Sequence, residues 1–486
     1  AAAASAWAGA AGQGAAPAPC DAGATFLLSA RAGEATTEDR RPTLEADSLP
    51  PSMVIFCVDI SASMSTTLKL EAGGSATRLQ CVQAAIAQQL EDLQRLHPES
   101  VMVLVTFGAT VCVYADGGER CSLSPRSHGD EAALLAKGAE LRGRCSEPAS
   151  AAADRLRSTV RELRPSGNTA LGPALAVAVG MAAGSFSSKI VLCTDGMANN
   201  GVGAIGAKDQ RCPFYEDIAR RAAEEGTCIS VVTMEGEDCS MENLGVCADL
   251  TGGRVEMVDL RSLTGKLGTL LGDAIMGSGV QLSVIAGRGV SLPGEAPGGR
   301  PGGACVAQRA LGAATASTCA TFALDASPGD LPEVADDGQA AIPVQVQLRY
   351  TRPNGEQVLQ VMTSRRRLSS NREEAEADID GVAVGLAGIH AAARLAQRGE
   401  YRAARMELIS VCRLLQRAMR TTAHQEAYLC FVVQAEKLDG FMRERELQDS
   451  VFGAGAGGAQ RGRDDDASRS MYQMKNLSAR DFTARV

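Results

Sequence analysis

The run Met53-Val54-Ile55-Phe56-Cys57-Val58-Asp59-Ile60-Ser61-Ala62-Ser63-Met64-Ser65 constrains the fold of this chain more than any other segment. Its first six residues are apolar and β-favouring, the pattern of a buried strand. The polar cluster that follows emerges at the carboxyl end of that strand, where open α/β sheets bind ligands. Asp59, Ser61 and Ser63 offer oxygen ligands at alternate positions of one loop. Oxygen-only ligation suits hard divalent cations such as Mg2+ or Mn2+. The same residues also build Asx and Ser turns that cap a following helix. The loop alone leaves both roles open.

Residues 53 to 276 continue as alternating strands and helices. That order predicts an α/β domain with a doubly wound, mostly parallel sheet and helices on both faces. Arg78 to Leu96 is an amphipathic helix, Val101 to Phe107 a strand, and Val111 to Tyr114 a short antiparallel neighbour across Gly108. Asp116 to Pro148 is polar and reads as an insertion longer than an ordinary connection, either partner-specific or floppy. Ser166-Gly167-Asn168-Thr169-Ala170-Leu171-Gly172 opens an apolar helix, Pro173 to Met181, with a threonine hydroxyl at its start. Lys189-Ile190-Val191-Leu192-Cys193-Thr194-Asp195-Gly196 is a second buried strand, ending in Asp-Gly. Met197 to Gly206 reads as flexible, Cys228 to Met234 and Arg254 to Asp259 as strands, and Leu260 to Met276 as the closing helix.

The Asp-x-Ser-x-Ser loop, the threonine of a Gly-rich loop and the aspartate ending a later strand together resemble the von Willebrand factor A family and its metal-ion-dependent adhesion site. All three parts stand in the family's order and on the strand and helix contexts it requires. The resemblance implies a Rossmann-like sheet with a cation at its top. It assigns Asp59, Ser61, Ser63, Thr169 and Asp195 as ligands of Mg2+ or Mn2+. It also implies an open coordination position, completed by an Asp or Glu of a protein partner.

From Gly279 to about Leu368 the chain turns to two-residue alternation, in Val280 to Ile285, Ala320 to Leu324, Val344 to Tyr350 and Gln357 to Met362. The last two runs join through Pro353-Asn354-Gly355, a hairpin signal. Residues 277–369 are therefore expected to form a β-sandwich, with Gly294 to Gly303 a loop. An isolated strand, Ala24 to Ala30 within the segment 20–52, is expected to join that sandwich, so that the α/β domain is inserted in it. Residues 370–447 read as a small helical bundle, with Gly399 separating its first two long helices. Residues 1–19 read as a disordered leader without signal or transit character, and 448–486 as a flexible tail, docking peptide or disordered at its end.

The net charge of −9, with both signs interspersed, argues against nucleic acid or an anionic membrane as partner. No apolar run approaches the ~20 residues that span a bilayer. Fifteen cysteines lie scattered without a Cys-x-x-Cys knuckle, which favours reduced thiols and a cytoplasmic location. If bridges formed, Cys112/Cys121, Cys239/Cys247 and Cys305/Cys319 would be the pairs. His97, His128, His390 and His424 adjoin no nucleophile motif and read as surface or packing residues. No Gly-x4-Gly-Lys-Ser/Thr loop occurs, so nucleotide hydrolysis is not expected.

The order strand, von Willebrand A domain, β-sandwich, helical bundle resembles the carboxyl-terminal region of the circularly permuted Ras proteins over nearly the whole chain. In architecture alone it is similar to the Sec23/Sec24 coat proteins, without their zinc finger or gelsolin-like segment. The first resemblance implies a small-GTPase module nearby. The expected function is a non-enzymatic, cation-dependent protein-binding module inside the cell. A hydrolase using metal-bound water and a coat or scaffold protein are the alternatives.

Overall fold

The computed structural model describes residues 4–5, 25–26, 53–69, 75–185, 187–206, 211–234, 239–258, 263–293, 305–326, 341–367, 369, 371–377, 379–452 and 468–484. Strand β1 (Met53–Asp59) is buried along its whole length. It divides its side chains between two cores, as a period of two requires. Ile55 and Cys57 face one, Val54, Phe56 and Val58 the other. It lies at the centre of a seven-stranded sheet with β2 (Val101–Phe107), β3 (Val111–Tyr114), β4 (Arg120–Ser122), β5 (Lys189–Thr194), β6 (Cys228–Met234) and β7 (Val255–Val258). The order is β7-β6-β5-β1-β2-β3-β4; the first five are parallel, and β3 and β4 return antiparallel. Helices α1 (Arg78–Leu96), α3 (Ala149–Glu162) and α7 (Leu263–Gly272) cover one face. Helices α2 (Glu131–Arg142), α4 (Leu171–Ala182), α5 (Pro213–Glu224) and α6 (Met241–Thr251) cover the other. The expected α/β architecture is present, mostly parallel and wound on both faces.

Two segments depart from the sequence reading. The stretch 116–148 is no loose insertion: it supplies β4 and α2, and Leu134, Leu135, Leu141 and Cys145 enter the core. The reason lies in α4, where every residue is buried. A helix apolar all round needs cover on its outer side too, and α2 provides it. Residues 197–206, read as flexible, are tied down through Val202 N–H to His128 O (2.7 Å) and Ile205 N–H to Ala198 O (2.8 Å).

The β region is a four-stranded antiparallel sheet of β8 (Ile275–Ala286), β10 (Val306–Thr315), β12 (Ala341–Thr351) and β13 (Gln357–Arg367), in the order β10-β8-β12-β13. A two-stranded ribbon, β9 (Val290–Ser291) with β11 (Asp325–Ala326), shares its core. The closing helix ends at Gly272, and Ile275 and Met276 already belong to β8. Ala320 to Leu324 is not a strand: Phe322 and Leu324 bury their side chains, with the Arg309 guanidinium 4.0 Å over the Phe322 ring. Among the described residues, Thr25–Phe26 pairs with Ala4–Ser5 rather than with the four-stranded sheet. The rest of Ala24 to Ala30 and the loop 294–303 lie outside the described residues.

Helices α8 (Arg372–Ala377), α9 (Gly381–Gln397), α10 (Tyr401–Ala418) and α11 (Thr422–Phe452) form the bundle. The tail is a further correction. Residues 468–475 form helix α12 and Ala479–Thr483 helix α13, and both dock. Tyr472 enters the α/β core, while Met471, Met474 and Phe482 enter the bundle core. Among the described residues no disulfide links the cysteines, the three pairs considered for bridges included. Among the same residues no helix is long and apolar enough to cross a membrane.

Candidate metal centre

Strands β1 and β5 are neighbours, with Val58 opposite Cys193. The chain leaves β1 toward β2 on one side and leaves β5 toward β6 on the other. This reversal is the switch point at which a crevice opens beyond the carboxyl ends. Asp59 ends β1 and Asp195 follows β5, so both carboxylates stand at that switch point.

Asp59 is fully buried; its Oδ1 accepts the Ser61 N–H at 2.7 Å and its Oδ2 accepts the Thr194 hydroxyl at 2.6 Å. The Oγ atoms of Ser61 and Ser63 lie 3.0 Å apart, and Ser63 donates to Asp195 Oδ1 at 2.7 Å. Asp59 thus makes an Asx turn, but the Ser61 side chain caps nothing: the short turn Ala62–Ser65 has no side-chain cap, and α1 is capped by Thr77. Of the two roles left open for this loop, helix capping is not the one its serines fill.

Thr169 arrives on a loop laced to the first by Ser166 N–H to Ile60 O (2.6 Å) and Ala62 N–H to Gly167 O (3.1 Å). Gly167 has φ +71°, and a Cβ there would lie 2.6 Å from that of Ala109. Only glycine suits such a position. The Thr169 N–H donates to Asn199 Oδ1 at 2.8 Å. Side-chain contacts therefore join Ser61, Ser63 and Asp195, with Asp59 bound to the Ser61 backbone, while Thr169 is joined through its loop backbone. Asp59, Ser61, Thr169 and Asp195 are buried and Ser63 is half-buried.

The donor set fits a hard divalent cation: two carboxylates with adjacent hydroxyls, all oxygen. Among the described residues no three His, Cys, Asp or Glu side chains gather, so a cation here depends on those hydroxyls. Burial pushes the Asp59 carboxyl up to about 6, against hydrogen bonds from Ser61 and Thr194, and the nearby Asp195 charge adds to the rise. A cation between the carboxylates would reverse that shift.

Sequence reasoning missed Thr194, Asn199 and Arg78. The first two carry no signal beyond adjacency to a ligand loop. Arg78 does carry one. It is a basic residue in the first turn of α1, where no acid stands, and its Nη1 lies 3.1 Å from Asp195 Oδ2 with both side chains buried.

No family model matches this chain. Among curated proteins it is similar to circularly permutated Ras protein 1 of Dictyostelium discoideum, 23% identical over 480 residues, which covers 93% of this chain and 54% of that protein. Among solved structures, the human COPII-coat protein Sec24c has a TM-score of 0.55 at 13% identity, covering 90% of this chain and 59% of that one. A von Willebrand factor type A protein from Catenulispora acidiphila has a TM-score of 0.43 at 16% identity, covering 81% and 82%. The chain thus spans little more than half the length of the Dictyostelium protein and of Sec24c. The likeness to Sec24c is one of fold.

Proposed function

We propose that this chain is a cytoplasmic protein-interaction module whose binding depends on Mg2+ or Mn2+. Asp59, Ser61, Ser63, Thr169 and Asp195 hold the cation, and an Asp or Glu of the partner completes its coordination. The observation that carries this reading is the hydrogen-bonded run Ser61–Ser63–Asp195 beside Asp59 at the sheet's switch point. Loops far apart in sequence bring hard oxygens together there. A bound cation supplies positive charge and an open position for a partner oxygen. Ser63, the half-buried member, marks the side from which a partner reaches the site. Calorimetric titration tests the reading. One saturable Mg2+ or Mn2+ site is expected in the wild type and none in Asp59→Asn, which keeps the side-chain shape. Equal binding by the two proteins would sink it.

A second reading, a structural scaffold, draws on the Sec24c-like fold and on the welding of α/β, β and helical parts around Arg254. That guanidinium pairs with Asp273 and Asp481, each at 3.2 Å. Full-strength partner capture in excess chelator would favour it. The name of the Dictyostelium relative adds a small-GTPase module as a proposed partner.

A further inference from the structure

The Asp195 carboxylate is already matched by a cation of the chain itself. Arg78 is the first residue of α1, and its backbone is clamped on both sides. Its N–H donates to Thr66 O at 3.1 Å, and Thr77 before it forms a reciprocal capping box with Gln80. A cation in the first turn opposes the helix dipole, and α1 has no acid there to offset it. The residue is explained by where its side chain goes: to Asp195 Oδ2 at 3.1 Å, both side chains nearly inaccessible at 6% and 0% exposure. Asp195 Oδ1 takes the Ser63 hydroxyl, and both oxygens of Asp59 have their own donors. Every carboxylate oxygen of the centre is therefore engaged, one of them by a full positive charge. A guanidinium does not give up its proton at any physiological pH. It cannot make way for a cation by titrating, only by moving or by repelling it.

We infer that Arg78 is a built-in competitor of the divalent cation: it holds Asp195, weakens Mg2+ and Mn2+ binding, and transmits their arrival to the start of α1. This rests on the metal-site reading above. Among the described residues, the two carboxylates and one guanidinium of the centre sum to one negative charge. A dication added beside Arg78 gives net positive charge in a buried place, whereas without Arg78 the charges cancel. Relief of the repulsion comes from loosening the Arg78–Asp195 pair, and Arg78 is tied to Thr66 and to the cap of α1. Residues 66–69 and 75–80 are then the part of the molecule that responds to the cation.

Calorimetric titration with Mg2+ and Mn2+ on the full chain tests this with Arg78→Gln and Arg78→Lys. Arg78→Gln is expected to bind on the order of tenfold tighter or more, with Arg78→Lys close to the wild type. Its cation-free form should melt below the wild type, and saturating Mg2+ should recover most of the difference. A folded Arg78→Gln protein that binds no more tightly than a wild type that does bind overturns the inference and leaves the metal site standing. Binding by Arg78→Gln alone supports the inference and removes cation dependence from the native function. Binding by neither removes both. Should Arg78→Gln not fold, hydrogen exchange on the wild type decides. Addition of Mg2+ is expected to change protection across 66–69 and 75–80, and unchanged protection in a protein that binds the cation overturns the coupling.

Discussion

At the scale of single residues, the centre is a set of buried polar groups whose partners determine what substitutions cost. Thr194 donates to Asp59 Oδ2 from a 3%-exposed position. Thr194→Val keeps the shape and removes that donor, so the metal-free protein should lose about 1–3 kcal/mol in urea unfolding. A loss within error of zero would show that this hydroxyl does not matter to Asp59. His390 poses a different case. Its Nδ1 meets the Thr321 hydroxyl at 3.1 Å and its Nε2 the Leu477 carbonyl at 2.9 Å, so the carbonyl selects the tautomer that donates from Nε2. Burial pushes its pKa down to about 3, with nearby Arg394 and Arg309 adding to the shift. The folded protein thus keeps the ring neutral while the unfolded chain protonates it below about 6.5. Stability from this site is complete above that pH and is lost as pH falls. Between pH 7 and 5 the loss should be about 2 kcal/mol, absent in His390→Phe. Equal pH slopes for the two proteins would contradict it.

At the scale of elements, close helix packing explains why part of the chain was misread. A Cβ on Gly138 of α2 would lie 2.2 Å from Val177 O, and one on Gly180 of α4 would lie 2.2 Å from Leu135 O. The two helices touch backbone to backbone. Gly138→Ala should therefore cost about 1–3 kcal/mol by overpacking. The same change at Gly440, exposed in α11 with nothing within 4 Å, should stabilise by about 1 kcal/mol through helix propensity. Opposite signs for one substitution, measured by thermal melting, check the packing. The all-apolar sequence of α4 was the legible clue that another helix must cover it. The interval 116–148 looked like a loop because α2 has little amphipathic contrast. Strand β10 was missed for a similar reason: Val306–Thr315 is rich in Ala, with Gly312 inside it, and shows no clear alternation.

At the scale of the whole molecule, residues 468–484 hold its parts together. Arg469 is fully buried with Nη2 3.3 Å from Cys239 Sγ, Tyr472 lies against Gly245, and Asn476 donates to Asp249 at 2.9 Å. Lys475 pairs with the same Asp249. Phe482 packs against Gly385 in the core that also holds Phe431, and Leu477 reaches His390. One short segment thus bridges the α/β domain and the bundle. Phe482→Ala should cost about 3–5 kcal/mol, the range for an aromatic deleted from a core, and the bundle should melt earlier. An unchanged melting curve would show that the tail is not part of the folded unit.

The local pattern of the chain was enough to place the α/β domain, while Asp59, Ser61, Ser63, Thr169 and Asp195 were nominated by the resemblance to the von Willebrand A family. A buried parallel strand and the loop after it are both written in consecutive residues. Tertiary structure alone decided that Arg78 reaches Asp195, since 117 residues separate them and nothing local couples them. It alone decided that the tail docks. The few apolar residues of 468–484 gain from burial only because a slot beside Gly245 and another beside Gly385 are assembled by other elements. Burial is a property of the assembled surface, and a sparse apolar pattern without its counterpart reads as a solvated end.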